Sequence, residues 1–398
     1  MNYSTRLYTT LALILMLTGL CIVWIMHRQP TQTPHAIILK PATFSELPGW
    51  QAANMKGSLR SFQLSCERLL NQNPDKFVGN QWMSLQIKDW VPACKQALSM
   101  RHTTSKSARN FFQTWFSPVV FDDSGPITGL FTGYFAPRIK GSLVKTDIYS
   151  TPVYSTPKNL VKIKLQEFDP ELPARDLYGR IHHGRMIPYY SRADIDKGAL
   201  VNQAQVIAYT RNPIDRLLIE IQGSGVLELE DGSEVNLGYA GKNGLRYLSI
   251  GRTLLDQGKL DSKNISMQSI TDYLETHPEE RDAIINTNRS FVFFKILSNQ
   301  GAFGTLGAPL TPGYSIAVDP NWVPLGMPVW LSATRPDSHS DSDVPLHRLL
   351  IAQDTGGAIK GTVRGDVFWG SSTNSAVIAG RMKHHGQYWL LYPKITPN

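Results

Sequence analysis

Cysteine is scarce. Outside the N-terminal stretch the chain carries only Cys66 and Cys94, so at most one internal disulfide is possible there. Neither has a nearby histidine or a glycine-rich turn, which excludes a cysteine nucleophile. Ten histidines fall without ligand spacing, so no metal site is read. No run of Lys and Arg forms a nucleic-acid arm, and no nucleic-acid partner is expected. The glycine-rich stretch Gly301–Gly307 lacks the spacing and the following helix of a nucleotide loop; no cofactor is expected, and the stretch reads as a loop beside a groove. No internal repeat is visible, which excludes solenoids and propellers.

What is present is a chain of 398 residues, long enough for two domains, with 42% hydrophobic and 18% charged residues, the balance of a folded protein. Its 31 glycines and 25 prolines predict many turns and short strands. The formal charge of +8 favours polyanionic partners: nucleic acid, anionic lipid, or an acidic polymer such as peptidoglycan with its peptide carboxylates.

Arg6 precedes an apolar run from Leu11 to Met26, which His27 and Arg28 follow. A basic start and an apolar core make an export signal. With Leu7 and Tyr8 the run approaches the roughly 20 residues that span a bilayer. Residues 1–28 therefore read as a signal retained as a membrane anchor. Two alternatives stay open: a lipoprotein, because Leu17-Thr-Gly-Leu-Cys21 weakly resembles a lipobox, and simple cleavage. Export places the body in an oxidising compartment. Cys66 and Cys94 each lie in a helical pattern, and a hairpin stapled by a Cys66–Cys94 disulfide is expected.

Residues 29–45, rich in Pro and Thr, read as a linker. Residues 46–136 read as a helical lead-in that runs into the first part of a barrel domain, with strand character from Gly129. Residues 137–298 read as a β-rich domain with short strands, among them Gln205–Tyr209 and Leu217–Ile221, a helix from Leu245 to Leu255, and a helix start at Pro278. Residues 299–398 read as a compact β-barrel. Its strands are Tyr314–Val318, Val329–Leu331, Leu346–Gln353 and Tyr388–Tyr392; Ser332–Val344 is a solvated loop, and His384-His385 a turn.

The densest constellation runs from Ala352 to Gly370. An apolar strand enters Asp354, a double glycine follows, and Asp366 comes twelve residues on, flanked by Val367, Phe368 and Trp369. Apolar walls raise a carboxyl pKa, as a general acid requires, and Trp369 offers a ring to stack on a sugar. Turn capping by both aspartates is the bland alternative. Asp354-Thr-Gly356 is not an aspartic-protease site, because no second copy stands in a comparable context.

These residues also carry a family resemblance. Asp319 in Ser315-Ile-Ala-Val-Asp319, Asp354 and Asp366 are similar to the three aspartates of the membrane-bound lytic murein transglycosylase A family. Phe131-Thr-Gly-Tyr-Phe-Ala-Pro137, Ile221-Gln-Gly-Ser-Gly225, Tyr239-Ala-Gly-Lys-Asn-Gly244 and Ser290-Phe-Val-Phe-Phe-Lys295 match in the family's order. The resemblance implies a mainly β fold with a helical N-terminal section: a double-psi β-barrel with a second β-rich domain inserted into it, and a glycan groove between them. It implies Asp366 as the catalytic acid and base, Asp354 in support, and substrate contacts from Thr132, Gly133, Tyr134, Gln222, Ser224, Lys242, Asn243, Asp319 and Trp369. It implies an exo-type lytic transglycosylase without cofactor or metal, acting on peptidoglycan glycan strands from the periplasmic side of a membrane. The sequence departs from the family at Asn374, near which relatives commonly carry an acid. Two other readings remain: an inverting hydrolase using both Asp354 and Asp366, and a non-catalytic peptidoglycan-binding protein.

Overall fold

The computed structural model describes residues 37–394, apart from 170, 174–175, 262–264 and 299–300. The expected anchor at 1–28 lies outside the described residues. Among the described residues, no helix is long and apolar enough to cross a membrane.

A short part of the expected linker is a strand. β1 (Ile38–Pro41) pairs antiparallel with β2 (Phe116–Asp122), Ile38 opposite Asp122. Between them lie three helices, α1 (Lys56–Leu69), α2 (Ile87–Ser99) and α3 (Ser105–Trp115). α1 buries Leu59, Phe62, Cys66 and Leu69 at helical spacing. Phe62 meets Phe111, Phe112 and Phe116 with ring centroids 5.9, 5.9 and 5.5 Å apart. Cys66 of α1 and Cys94 of α2 form the expected disulfide, with Cα atoms 5.1 Å apart. The chain then enters β3 (Gly129–Tyr134) and leaves for the inserted region.

The insert contributes β4 (Arg138–Ser142), β5 (Thr151–Tyr154), β6 (Val161–Lys164), β7 (Asp176–His182), β8 (Arg185–Pro188) and α4 (Arg192–Asp196). It continues with β9 (Val206–Thr210), α5 (Pro213–Gln222), β10 (Ser224–Glu228), β11 (Glu234–Lys242), α6 (Ile250–Asp256), α7 (Met267–Thr276), α8 (Pro278–Thr287) and β12 (Val292–Leu297). Its main sheet has the order β12-β11-β10-β4-β9-β5, beside a smaller β6-β7-β8 sheet. Leu217–Ile221, expected as a strand, is helical. Asn212 accepts from the Ile214 and Asp215 amides at 3.0 and 2.9 Å, Pro213 opens the first turn, and Gly223 closes the helix at φ +74°. These caps outweigh the β-propensity of the Leu-Leu-Ile-Glu-Ile run. The expected helix from Leu245 begins only at Ile250, where the Ser249 hydroxyl caps the Arg252 amide. A buried ion cluster ties the insert together: Arg192 and Arg216 both contact Glu220, at 3.1 Å (Arg192 Nη1) and 3.3 Å (Arg216 Nε), and the Val292 amide donates to Glu220 at 3.3 Å.

Five further strands follow: β13 (Ser315–Val318), β14 (Pro328–Pro336), β15 (Asp343–Thr355), β16 (Arg364–Phe368) and, after α9 (Thr373–Arg381), β17 (Lys383–Pro393). The ring runs β17-β14-β15-β13-β16-β3 and closes through a β17–β3 pairing. β13 is parallel to β15 and antiparallel to β16, and β16 is parallel to β3. One wall of the closed barrel is thus the strand made before the insert. Two loop expectations give way. Ser332–Val344 is a hairpin whose arms extend β14 and β15, paired out to Pro336 opposite Asp343. His384 and His385 lie inside β17, opposite Phe131 and Leu130.

Candidate active site

The site begins with a row of residues across the barrel wall. Ala317 of β13 is register partner to Asp354 on one side and to Asp366 on the other. Asp366 in turn stands beside Thr132 of β3, and Thr132 beside Lys383 of β17. The two carboxylates are therefore two strand spacings apart, about 10 Å between backbones, with one methyl group between them. The sheet re-aims Asp354 by a bulge: Ile316 pairs with Ala352 and Ala317 with Asp354, which leaves Gln353 as the extra residue.

Gln353 is fully buried and holds the bulge from behind. Its Oε1 accepts from the hydroxyls of Ser61 (3.0 Å) and Ser315, and its Nε2 donates to Ser61 O at 3.0 Å and Ser65 Oγ at 2.9 Å. Its main-chain carbonyl accepts from the Leu306 amide at 3.0 Å. That bond seats the loop that carries Thr305 to Asp354.

The two carboxyls are held differently. Asp354 accepts four hydrogen bonds: Oδ1 from Thr305 N (2.9 Å), Thr305 Oγ1 (2.7 Å) and Thr355 N (2.8 Å), and Oδ2 from the Tyr134 phenol (2.9 Å). Asp366 accepts one, from Thr132 Oγ1 at 2.7 Å. Burial pushes Asp366 up to about 6; the Asp354 charge adds to the rise, while the Thr132 hydroxyl and the Arg364 guanidinium oppose it. Burial raises Asp354 as well, against its donors, and drives the Tyr134 phenol well up beside Asp354. The result is one clamped carboxyl and one nearly free carboxyl that titrates close to neutrality.

Residues 130–295 match the MltA specific insert domain, and residues 314–392 match the 3D domain. The curated membrane-bound lytic murein transglycosylase A of Escherichia coli K12 is 37% identical over 204 residues, which are 50% of this chain and 55% of that protein. The chain thus spans about half the length of this curated relative. The monoclinic crystal structure of MltA from Neisseria gonorrhoeae is 30% identical, with TM-score 0.74, and the match covers 92% of this chain and 98% of that one. The chain belongs to the MltA family. The membrane-bound lytic murein transglycosylase from Agrobacterium tumefaciens, at 29% identity, superposes with TM-score 0.78 over 90% of this chain and 98% of that one.

On the MltA insert side, β11 looks toward the aspartates. The Tyr239 phenol is pushed up by burial and then by neighbours that include Tyr178, Asp176 and Asp354. The Lys242 ammonium is lowered by burial and by Lys360 of the 3D barrel. Gln222 stands at the crossing between the parts, where its Oε1 accepts from the Phe135 amide at 3.1 Å. Asn243 does not face a groove. It is fully buried, donating to Tyr190 O and Arg289 O and accepting from the Leu245 and Phe291 amides. Ser224 is buried at the start of β10.

One expected contact on the 3D side is likewise structural. Asp319 is buried and accepts from Asn321 and the Gly361 amide (3.1 Å), with Lys360 at 3.5 Å. It fastens the turn after β13 to the loop between the other two aspartates. The ring of Trp369 has Arg335 over it at 5.6 Å, and a Cβ on Gly133 would approach the indole to 2.8 Å. The indole is half-buried, and Gly133 is the space it needs. Asn374 is exposed in the first turn of α9. Thr305 and Arg364 are the residues that sequence reasoning missed. Thr305 sits in the stretch read only as a loop, and Arg364 reaches the site through Thr132 (2.9 Å).

Proposed function

We propose that this chain is a peptidoglycan lytic transglycosylase, cleaving the β-1,4 bond between N-acetylmuramic acid and N-acetylglucosamine and leaving 1,6-anhydromuramoyl ends. The observation that carries the reading is the unequal holding of the two carboxyls. Asp366, neutral over an unusually wide pH range, donates its proton to the glycosidic oxygen as the C1–O bond breaks. The resulting carboxylate takes the proton of the muramoyl C6 hydroxyl as O6 closes on C1. Its proton is thereby restored and no water enters the product. Asp354, pinned in place by four donors, stands near the developing oxocarbenium ion, and its ionised form counters that charge and holds Asp366 high. Thr132 and Tyr134 orient the pair, while Gln222, Tyr239 and Lys242 line the insert side of the path for glycan. Anchoring at the periplasmic face of a membrane through residues 1–28 belongs to the same reading.

An inverting hydrolase needs its second carboxylate free to activate water. The donors on Asp354 oppose that role. The test is digestion of purified peptidoglycan by wild type, D366N and D354N, with the sugar ends weighed by mass spectrometry. Expected are anhydro ends, lighter than reducing ends by one water. D366N loses cleavage by at least about 10⁴-fold, the upper range of general acid–base catalysis, while still binding glycan; D354N loses less. Reducing ends from the wild type, or near-normal cutting by D366N, overturn the reading.

A further inference from the structure

We propose that Arg364 is a positioning residue for Asp366: acting through Thr132, it fixes which of the two carboxyl oxygens carries the catalytic proton. A threonine hydroxyl has one hydrogen to give and lone pairs to accept with. Arg364 Nη2 donates to Thr132 Oγ1 at 2.9 Å, and Thr132 Oγ1 lies 2.7 Å from Asp366 Oδ1. The guanidinium has no acceptor and stays charged. The single hydroxyl hydrogen is therefore committed to Oδ1. An oxygen that accepts this bond is a poor seat for the acid proton, which is left on Oδ2.

Without the arginine the hydroxyl is free to turn. It then accepts a hydrogen bond from an acid proton seated on Oδ1, and an O–H turned toward Thr132 is not offered to the glycosidic oxygen. Arg364 is itself fixed by two carbonyls, Leu130 O at 3.1 Å and Gly365 O. Those carbonyls lie on the two strands that place Thr132 and Asp366 side by side. The polarity of the chain Arg364→Thr132→Asp366 survives both halves of the cycle. It steers the neutral acid and solvates the carboxylate that follows.

The inference rests on Asp366 as the acid. The charged or titratable groups around Asp366 are Asp354 from β15, Tyr134 from β3 and Arg364 on its own strand, with Lys383 of β17 exposed beside Thr132 in the register.

The experiment reads Asp366 directly, by carboxyl ¹³C NMR titration of the full chain carrying labelled aspartate, alongside pH–rate profiles. R364M and T132V are expected to raise the Asp366 midpoint by about one unit or more and to lower kcat on the order of tenfold, with KM unchanged. T132S restores most of what T132V loses. R364K keeps the charge but not the fork, so the midpoint stays near wild type while kcat remains low. Because Arg364 acts through Thr132, R364M and T132V combined cost little more than either alone. The proposal is overturned if R364M leaves midpoint and kcat at wild-type values, if T132S is no better than T132V, or if the two losses multiply. Should R364M not fold, the T132S and T132V pair and R364K decide it. The titration needs no turnover. A D366N chain that still cuts removes the acid assignment, while the midpoints report separately on the hydrogen-bond chain.

Discussion

Asp366 and Asp354 carry the same functional group, and their surroundings give them different work. With Asp366 pushed up to about 6, cleavage should decline as pH rises through that value, because the acid form is lost. D354N removes a neighbouring negative charge, so Asp366 ionises more easily. The alkaline limb of the pH–rate profile should then move to lower pH, on top of the loss in rate. The same burial has a cost in stability. Wild-type Asp366 is protonated in both folded and unfolded chains below about pH 4, and ionised in both above about pH 6. D366N should therefore stabilise the fold by up to about 3 kcal/mol at pH 7, a rise of roughly two pKa units at about 1.4 kcal/mol each. The gain should shrink as pH falls from 6 toward 4 and vanish below, as thermal unfolding across that range would show. Both aspartates stood out by their apolar strand, glycines and aromatic flank, but that pattern left turn capping open, and the family resemblance supplied the roles expected of them. Asp319 and Asn243 were misread because a buried, fully bonded polar residue carries the same letter as one facing substrate. Thr305 and Arg364 were invisible because their role exists only once β3 and the 302–310 loop are folded against β15 and β16.

At the level of elements, α1 and α2 are joined by a bond the sequence made readable: two cysteines in helical patterns, no third candidate in the body. The pair closes a separation of 28 residues, and its loss should cost about 2–4 kcal/mol. Thermal unfolding with and without reductant, or of C66S, is expected to show it. The effect should not stop at stability. α1 also presents Ser61 and Ser65 to Gln353, so loosening it loosens the bulge that aims Asp354, and kcat should fall before the protein melts. Other elements were harder to read. The Leu217–Ile221 run satisfies strand propensity, and only the caps at Asn212 and Gly223 make it α5. Ser332–Val344 looked solvated because a hairpin extending past the barrel wall alternates polar residues on both faces. The closure of β3 onto β16 and β17 has no local signal, since its partners lie more than two hundred residues away.

For the whole molecule, every residue of the candidate site lies between Thr132 and Lys383, so a chain starting at residue 37 should cleave solubilised peptidoglycan at a rate near that of the full protein. Activity lost with residues 1–36 would assign them more than tethering. The insert's sheet and buried ion cluster are complete at Leu297. The barrel is not: the Asp366–Thr132 contact needs β16, and the ring needs β17 to seal β3. A ribosome makes β3 more than two hundred residues before its two neighbours. During synthesis the first strand of the barrel ring waits without its ring partners while the entire insert is made. A chain cut short before Lys383 holds the complete insert sheet but an open barrel beside Thr132 and Asp366. The closed barrel that frames the candidate site thus comes into being only with β17, which amounts to a timing device written into chain order.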